Sequence, residues 1–342
     1  MPTLRSQAYV FDARPHYPLL ISVKRYWVPE FESKDADAAT LVLTHATSFH
    51  KELWEPVLEE LYDRVAGASV INSPVPKVRD AWAIDCPNHG ESAVLNEETL
   101  LSGYTPIFSW MEYARAIHLI LNGFGKGIDV DFRSRNLVGV GHSMGASAII
   151  LTRTIYPFVS WSSAILVEPM FLHPKFLEAT WKFLLEGAAK RRDVWSSREE
   201  ADKLFRERSF KSWDPRVIDL YVKYGLRELP TSAYPDQTRG VTLKCTKIQE
   251  YATYIETHGC LSSQRFLSTF CKDVPSHVVF GAIADFNPAE NQGFIKEVAG
   301  DGFQTTSIVE NAGHLVVQNN PAGMAKVIWN LLSSAPVVRS KL

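Results

Sequence analysis

The sequence predicts an α/β fold, with a mostly parallel central sheet, helices on both of its faces and one helical insertion. Three observations carry that prediction. Short apolar, β-branched runs alternate with helical patterns over residues 40–170, the rhythm of parallel strands joined by crossover helices. The rhythm stops near residue 170 and resumes near 276. Before that break, Gly141-His142-Ser143-Met144-Gly145 ends one apolar run and opens a helical one.

The first strand is expected at 40–44 (TLVLT), followed by a loop and a helix whose apolar positions are Leu53, Trp54, Val57, Leu58 and Leu61. A second strand at 81–85 (AWAID) runs into the turn-rich CPNHGES, and Ser109-Trp110-Met111-Glu112 offers a capping box before EYARAIHLILNGF. The third strand, 136–141 (NLVGVG), leads into HSMGASAIILTRTIY; the fourth, 163–167 (SAILV), ends at Glu168-Pro169. From 171 to 275 helices without a good strand are expected. One is capped at Ser197 with Glu200 three residues on; another starts at Asp214-Pro215 and stops at Gly225. Strand 277–280, a helix around 293–298, strand 305–309, the loop ENAGHLV and a last helix PAGMAKVIWNLLSS complete the pattern. Residues 1–170 and 276–342 therefore read as one core, and 171–275 as a lid or cap.

Composition narrows the function. Of 342 residues, 46% are apolar and 22% charged, ordinary globular shares that exclude disordered and fibrous classes. The 36 basic and 38 acidic residues leave a formal charge of −2, without the basic excess of a nucleic-acid binder. Four scattered cysteines form no C-x-x-C pair, so they read as reduced thiols, and neither a metal nor any other cofactor is expected. No apolar run reaches the roughly 18–20 residues of a membrane span, and the opening residues lack the pattern of a secretory leader. The last three residues, Ser340-Lys341-Leu342, match the address read by the peroxisomal import receptor, so a peroxisomal location is expected.

The chemistry concentrates around Ser143. A G-x-S-x-G turn between strand and helix lifts a serine hydroxyl clear of the sheet, and Gly141 and Gly145 allow the close approach that such a turn needs. A serine is scarcely ionised at neutral pH and needs a base. His314 in ENAGHLV is the best candidate among ten histidines, because it follows the last strand and comes after Ser143. His142 is expected to pack under the turn, and His118 to lie half-buried in an apolar helix. For the carboxylate that orients the base, two positions are open. Glu168 ends the apolar strand after the elbow helix and would need a buried partner; Asp285, in GAIADFNP, follows the strand after the insertion, but also fits an ordinary Asx turn. The backbone N–H groups of Met144 and Thr47, the latter in the loop THATSF after the first core strand, are the expected oxyanion donors.

Taken together, LVLTHATSFHKELWEPVLEEL, AIDCPNHGES, GVGHSMGA and ENAGHLV resemble the α/β-hydrolase superfamily along nearly the whole chain. The insertion's SREEADKLFRERSFKSWDPRVIDLYVKYGLR and GVTLKC, with the terminal SKL, resemble more narrowly a group of fungal peroxisomal hydrolases of secondary metabolism, among them those of AK-toxin and mycophenolic acid biosynthesis and a yeast peroxisomal lipase. The resemblance implies hydrolysis of an ester or acyl-CoA thioester through an acyl-enzyme, with Ser143 as nucleophile, His314 as base and Glu168 or Asp285 as acid. An acyltransferase or a non-catalytic ligand-binding member is the alternative. Phe171, Leu172, Phe176, Trp181, Phe183, Leu184 and Trp195 could line an acyl pocket, and Lys190-Arg191-Arg192 could meet the phosphates of coenzyme A.

Overall fold

In the computed structural model, residues 3–70 and 75–334 are described. The terminal Ser340-Lys341-Leu342 lies outside them. In chain order the elements are β1 (Arg5–Phe11), β2 (Ile21–Trp27), β3 (Ala39–Thr44), α1 (Glu55–Val70), β4 (Val78–Ile84), α2 (Gly90–Leu95), α3 (Glu97–Gly103), α4 (Trp110–Leu121), β5 (Asn136–His142), α5 (Met144–Leu151) and β6 (Trp161–Val167). The middle segment holds α6 (Pro174–Lys190), β7 (Val194–Trp195), α7 (Arg198–Leu204), α8 (Pro215–Gly225), β8 (Leu226–Glu228), β9 (Val241–Leu243), α9 (Lys247–Ile255) and α10 (His258–Asp273). The chain closes with β10 (Ser276–Gly281), α11 (Ala289–Ala299), β11 (Phe303–Val309), α12 (Val316–Asn319) and α13 (Pro321–Ser334).

The main sheet has eight strands in the order β1-β2-β4-β3-β5-β6-β10-β11. From β4 to β11 neighbouring strands run parallel, while β2 pairs antiparallel with both β1 and β4. Every residue of β3 is buried, because a parallel strand is covered on both faces. Alternate residues separate accordingly. Val42, Leu166 and Val278 enter one apolar cluster with residues of α4, α5, α10 and α11, whereas Leu41, Leu43, Ile165, Val167 and Val279 enter another with α1 and α13.

Helix ends follow the local chemistry. The Ser109 hydroxyl caps α4 by accepting from the Met111 N–H at 3.2 Å, Ser197 caps α7 through Glu200 at 3.2 Å, and Asp214 caps α8 through Arg216 at 2.9 Å with Pro215 in the first turn.

Two features depart from the sequence expectation. The N-terminal hairpin β1-β2 extends the sheet, although those residues signal no strand by simple periodicity. β1 is an edge strand with four successive exposed residues at its start, so no apolar alternation marks it. The middle segment is also not wholly helical: β7, β9 and β8 form a small antiparallel sheet, its strands of two or three residues being too short for a periodic signal. Within the same segment α10 packs on α5 and α4. It supplies the crossover that two adjacent parallel strands, β6 and β10, require.

Candidate active site

The registers Thr44↔Gly141, His142↔Val167 and Val167↔Val279 level the ends of β3, β5, β6 and β10. The residues that follow these strands therefore meet at one edge of the sheet. Ser143 follows β5 with φ 54° and ψ −114°, a backbone conformation that a non-glycine residue rarely adopts. The two flanking glycines make the turn possible. A Cβ at Gly141 would lie 2.6 Å from the Ala146 backbone, and one at Gly145 would lie 2.6 Å from the Thr44 carbonyl oxygen. The Thr44 hydroxyl in turn donates to the Gly145 carbonyl at 3.0 Å, fixing β3 against the start of α5.

His314, in the loop after β11, places Nε2 3.1 Å from Ser143 Oγ and Nδ1 3.1 Å from Glu168 Oε2. A carboxylate only accepts, so Nδ1 carries the hydrogen; Nε2 of the neutral ring then accepts from the serine hydroxyl. Glu168 is buried and has φ 45°. Its Oε1 accepts the Gly281 N–H at 2.7 Å, and its Oε2 also accepts from the side-chain amide of Asn287. These donors compensate the carboxylate for lost hydration.

Asp285 is exposed, and its Oδ1 accepts the backbone N–H of His314 at 2.8 Å. It meets the loop and not the ring nitrogen that faces Glu168. The contact is close because residue 313 is glycine: a Cβ there would lie 2.1 Å from Asp285 Oδ2.

His142 is buried, and its Nε2–H donates to the His314 carbonyl at 2.8 Å. Burial first, and the neighbouring His314 second, push its pKa down to about 3, so it stays neutral. The Phe286 ring lies over the His314 imidazole with centroids 4.3 Å apart. His118 is a structural residue, bonded through Nε2 to the Pro157 carbonyl at 2.8 Å.

The loop after β3 runs beside Ser143. Thr47 Oγ1 donates to the Met144 sulfur at 3.4 Å. Among the described residues neither the Thr47 nor the Met144 backbone N–H has a backbone acceptor. For Met144, the first residue of α5, that follows from its place at a helix start.

The residues considered for acyl and phosphate contacts do not form one group. Phe171, Leu172 and Trp181 belong to the main core, Trp195 to a separate cluster that joins the middle segment to Ala46, Phe49 and Leu53, and Phe183 is 71% exposed. Arg191 is engaged between Glu250 and the Tyr221 hydroxyl at 2.8 and 2.6 Å. Lys190 pairs with Glu186, and Arg192 with Glu200. The run 190–192 thus presents no unpaired cationic cluster, because a nearby carboxylate answers each charge.

Asn287 is a site residue that sequence reading passes over, since Asp285-Phe286-Asn287-Pro288 has the composition of a turn. Asn291, one helical turn on, accepts no such reading. Its amide donates to Asn287 Oδ1 at 2.6 Å and to the Phe171 carbonyl at 2.9 Å, and its Oδ1 accepts the His173 N–H at 2.8 Å.

The alpha/beta hydrolase family model matches residues 41–327, and the chain belongs to that family. It is 32% identical over 222 residues to a type I acyl-CoA thioesterase, mpaH, of Penicillium roqueforti, an alignment covering 64% of this chain and 47% of the relative. It is 35% identical over 120 residues to the abhydrolase domain-containing protein ACTT2-1 of Alternaria alternata, covering 35% of this chain and 44% of that one. The alignments thus span about half the length of these curated relatives. Among solved structures, the peroxisomal alpha-beta-hydrolase Lpx1 of Saccharomyces cerevisiae superimposes with TM-score 0.68 at 18% identity, covering 100% of this chain and 92% of that one. A thioesterase domain from the curacin biosynthetic pathway gives TM-score 0.62 at 16% identity, covering 95% and 99%. These two likenesses concern the fold.

Proposed function

We propose that the protein is a serine hydrolase that cleaves an ester or acyl-CoA thioester through an acyl-enzyme at Ser143. The observation that carries this reading is the continuous hydrogen-bonded chain from Ser143 Oγ through His314 to the buried Glu168. As Oγ attacks the acyl carbonyl carbon, its proton passes to His314 Nε2, and Glu168 stabilises the resulting imidazolium. The carbonyl oxygen, now an oxyanion, accepts from the N–H groups of Met144 and Thr47. Collapse expels the alcohol or thiol, which takes the proton from Nε2. Water then enters, gives a proton to the same nitrogen and attacks the acyl-serine, releasing the acid and restoring the hydroxyl.

The similarity to mpaH supports the thioester as substrate class. The sequence's resemblance to fungal hydrolases of secondary metabolism supports a role in toxin formation, and Ser340-Lys341-Leu342, where it stands at a free carboxyl end, supports capture by the import receptor and work inside the peroxisome. None of the described helices is long and apolar enough to cross a membrane.

The test is a panel of CoA thioesters and p-nitrophenyl esters of graded chain length, with labelling by a fluorophosphonate. Ser143→Ala is expected to abolish both turnover and labelling. Full turnover by that variant would defeat the mechanism, and a preference for oxygen esters at every chain length would remove the thioester assignment.

A further inference from the structure

Next to the proposed oxyanion donor Thr47 stands Ser48, whose φ is 77°. A serine persists in this left-handed region only where its surroundings over-determine it. The loop's own contribution is one backbone hydrogen bond, from the Phe49 N–H to the Ala46 carbonyl at 3.3 Å. The Thr47 hydroxyl reaches the Met144 sulfur, and the hold on Ser48 itself comes from the segment between β6 and β10. The Ser48 hydroxyl donates to Glu250 Oε1 on α9. The other Glu250 oxygen accepts from Arg191 Nη1 at 2.8 Å, at the end of α6, and Arg191 Nη2 donates to the Tyr221 hydroxyl of α8 at 2.6 Å. The Tyr221 ring then returns to the loop, edge-on to Phe49 and stacked on His50 with centroids 6.4 and 5.8 Å apart. Two helices of that segment, α9 and α8, thus grip three consecutive residues directly after Thr47, and Arg191, just past α6, ties the two together.

We propose that Ser48, Glu250 and Arg191 are positioning residues: seating of the cap on the Ser48 hydroxyl holds the 46–49 turn in the conformation that aims the Thr47 N–H at the oxyanion. This rests on the Ser143 mechanism above and adds to it a cap-dependent oxyanion site. The physical logic is that a Glu250 carboxylate buried beside Arg191 has a fixed place. Its second oxygen is therefore a fixed acceptor, and the one loop residue in a strained conformation is the residue bonded to it. Releasing that bond lets the turn relax toward ordinary φ values, which swings the preceding N–H away from its target. Substrate contacts made elsewhere in the pocket are left as they were.

The experiment compares Ser48→Ala and Ser48→Gly with the wild type in kcat, KM and affinity for a trifluoromethyl ketone carrying the substrate's acyl chain, a group that becomes tetrahedral on the serine. Both variants are expected to lose about 10- to 100-fold in kcat, with KM within about twofold and ketone affinity falling in step with kcat. Glu250→Gln keeps a polar partner for the hydroxyl and is expected to retain more activity than Glu250→Leu. An unchanged kcat in both Ser48 variants, or a loss confined to KM, would overturn the proposal. If Ser48→Ala does not fold, Ser48→Gly, which accepts positive φ without strain, carries the comparison. Ser143→Ala keeps the two readings apart: activity surviving there sinks the underlying mechanism, whereas a dead Ser143→Ala with fully active Ser48 variants sinks only the cap-dependent site.

Discussion

Two carboxylates approach His314 at different atoms, and substitution separates them. Glu168→Gln keeps the size of the side chain but removes the charge that answers the imidazolium. By analogy with other triads, kcat is expected to fall by about 10³- to 10⁴-fold. Asp285→Asn keeps an oxygen for the His314 backbone N–H, so steady-state kinetics is expected to show kcat within about tenfold of the wild type. The reverse order of these two losses would exchange the roles. Asn287→Ala removes one donor from Glu168 Oε2, with an expected loss of about tenfold in kcat. Both carboxylates are visible in the sequence as candidates, but choosing between them depends on which ring nitrogen each can reach. That distance is set by strand register and loop path, and no residue pattern encodes it locally. Asn287 stays hidden for a related reason: an amide beside a proline looks the same whether it forms a turn or braces a buried acid.

At the scale of elements, the elbow between β5 and α5 is legible because a backbone constraint writes itself into residue types. Gly145→Ala drives a methyl group against the Thr44 carbonyl, 2.6 Å away. Urea unfolding is expected to show a loss of about 1–3 kcal/mol, and a variant as stable as the wild type would mean that β3 and α5 can separate freely. Parallel strands buried on both faces, such as β3 and β5, announce themselves as apolar runs. The hairpin β1-β2 and the small sheet β7-β9-β8 do not. Lys24 of β2, for example, is buried yet charged, its ammonium held by Glu55 at 2.8 Å. A polar strand whose partners lie elsewhere in the chain carries no periodic apolar signal.

Across the whole molecule, several buried histidines tie stability to pH. Burial holds His45 near a pKa of about 4, against the pull of Asp85, and His142 near about 3; His89 is lowered in the same way by burial. Each takes up a proton more readily when unfolded, near the ordinary value of 6.5. Their contribution is therefore complete above about pH 6.5 and is lost as pH falls toward about 4, at up to about 1.4 kcal/mol per pH unit for each group. Thermal midpoints measured from pH 7 to pH 4 are expected to fall steadily, and His142→Gln should flatten part of that slope. An unchanged slope would place the proton uptake elsewhere. Asn291 sets a further limit on motion. By holding the Phe171 carbonyl and the His173 N–H, it rivets the start of the segment proposed as a cap to α11. An opening of that segment is then expected to pivot beyond residue 173, swinging α6 like a door whose hinge plate is screwed to the frame, while Glu168 stays still. Deuterium uptake should accordingly be slow at 171–173 and faster along the helix that follows.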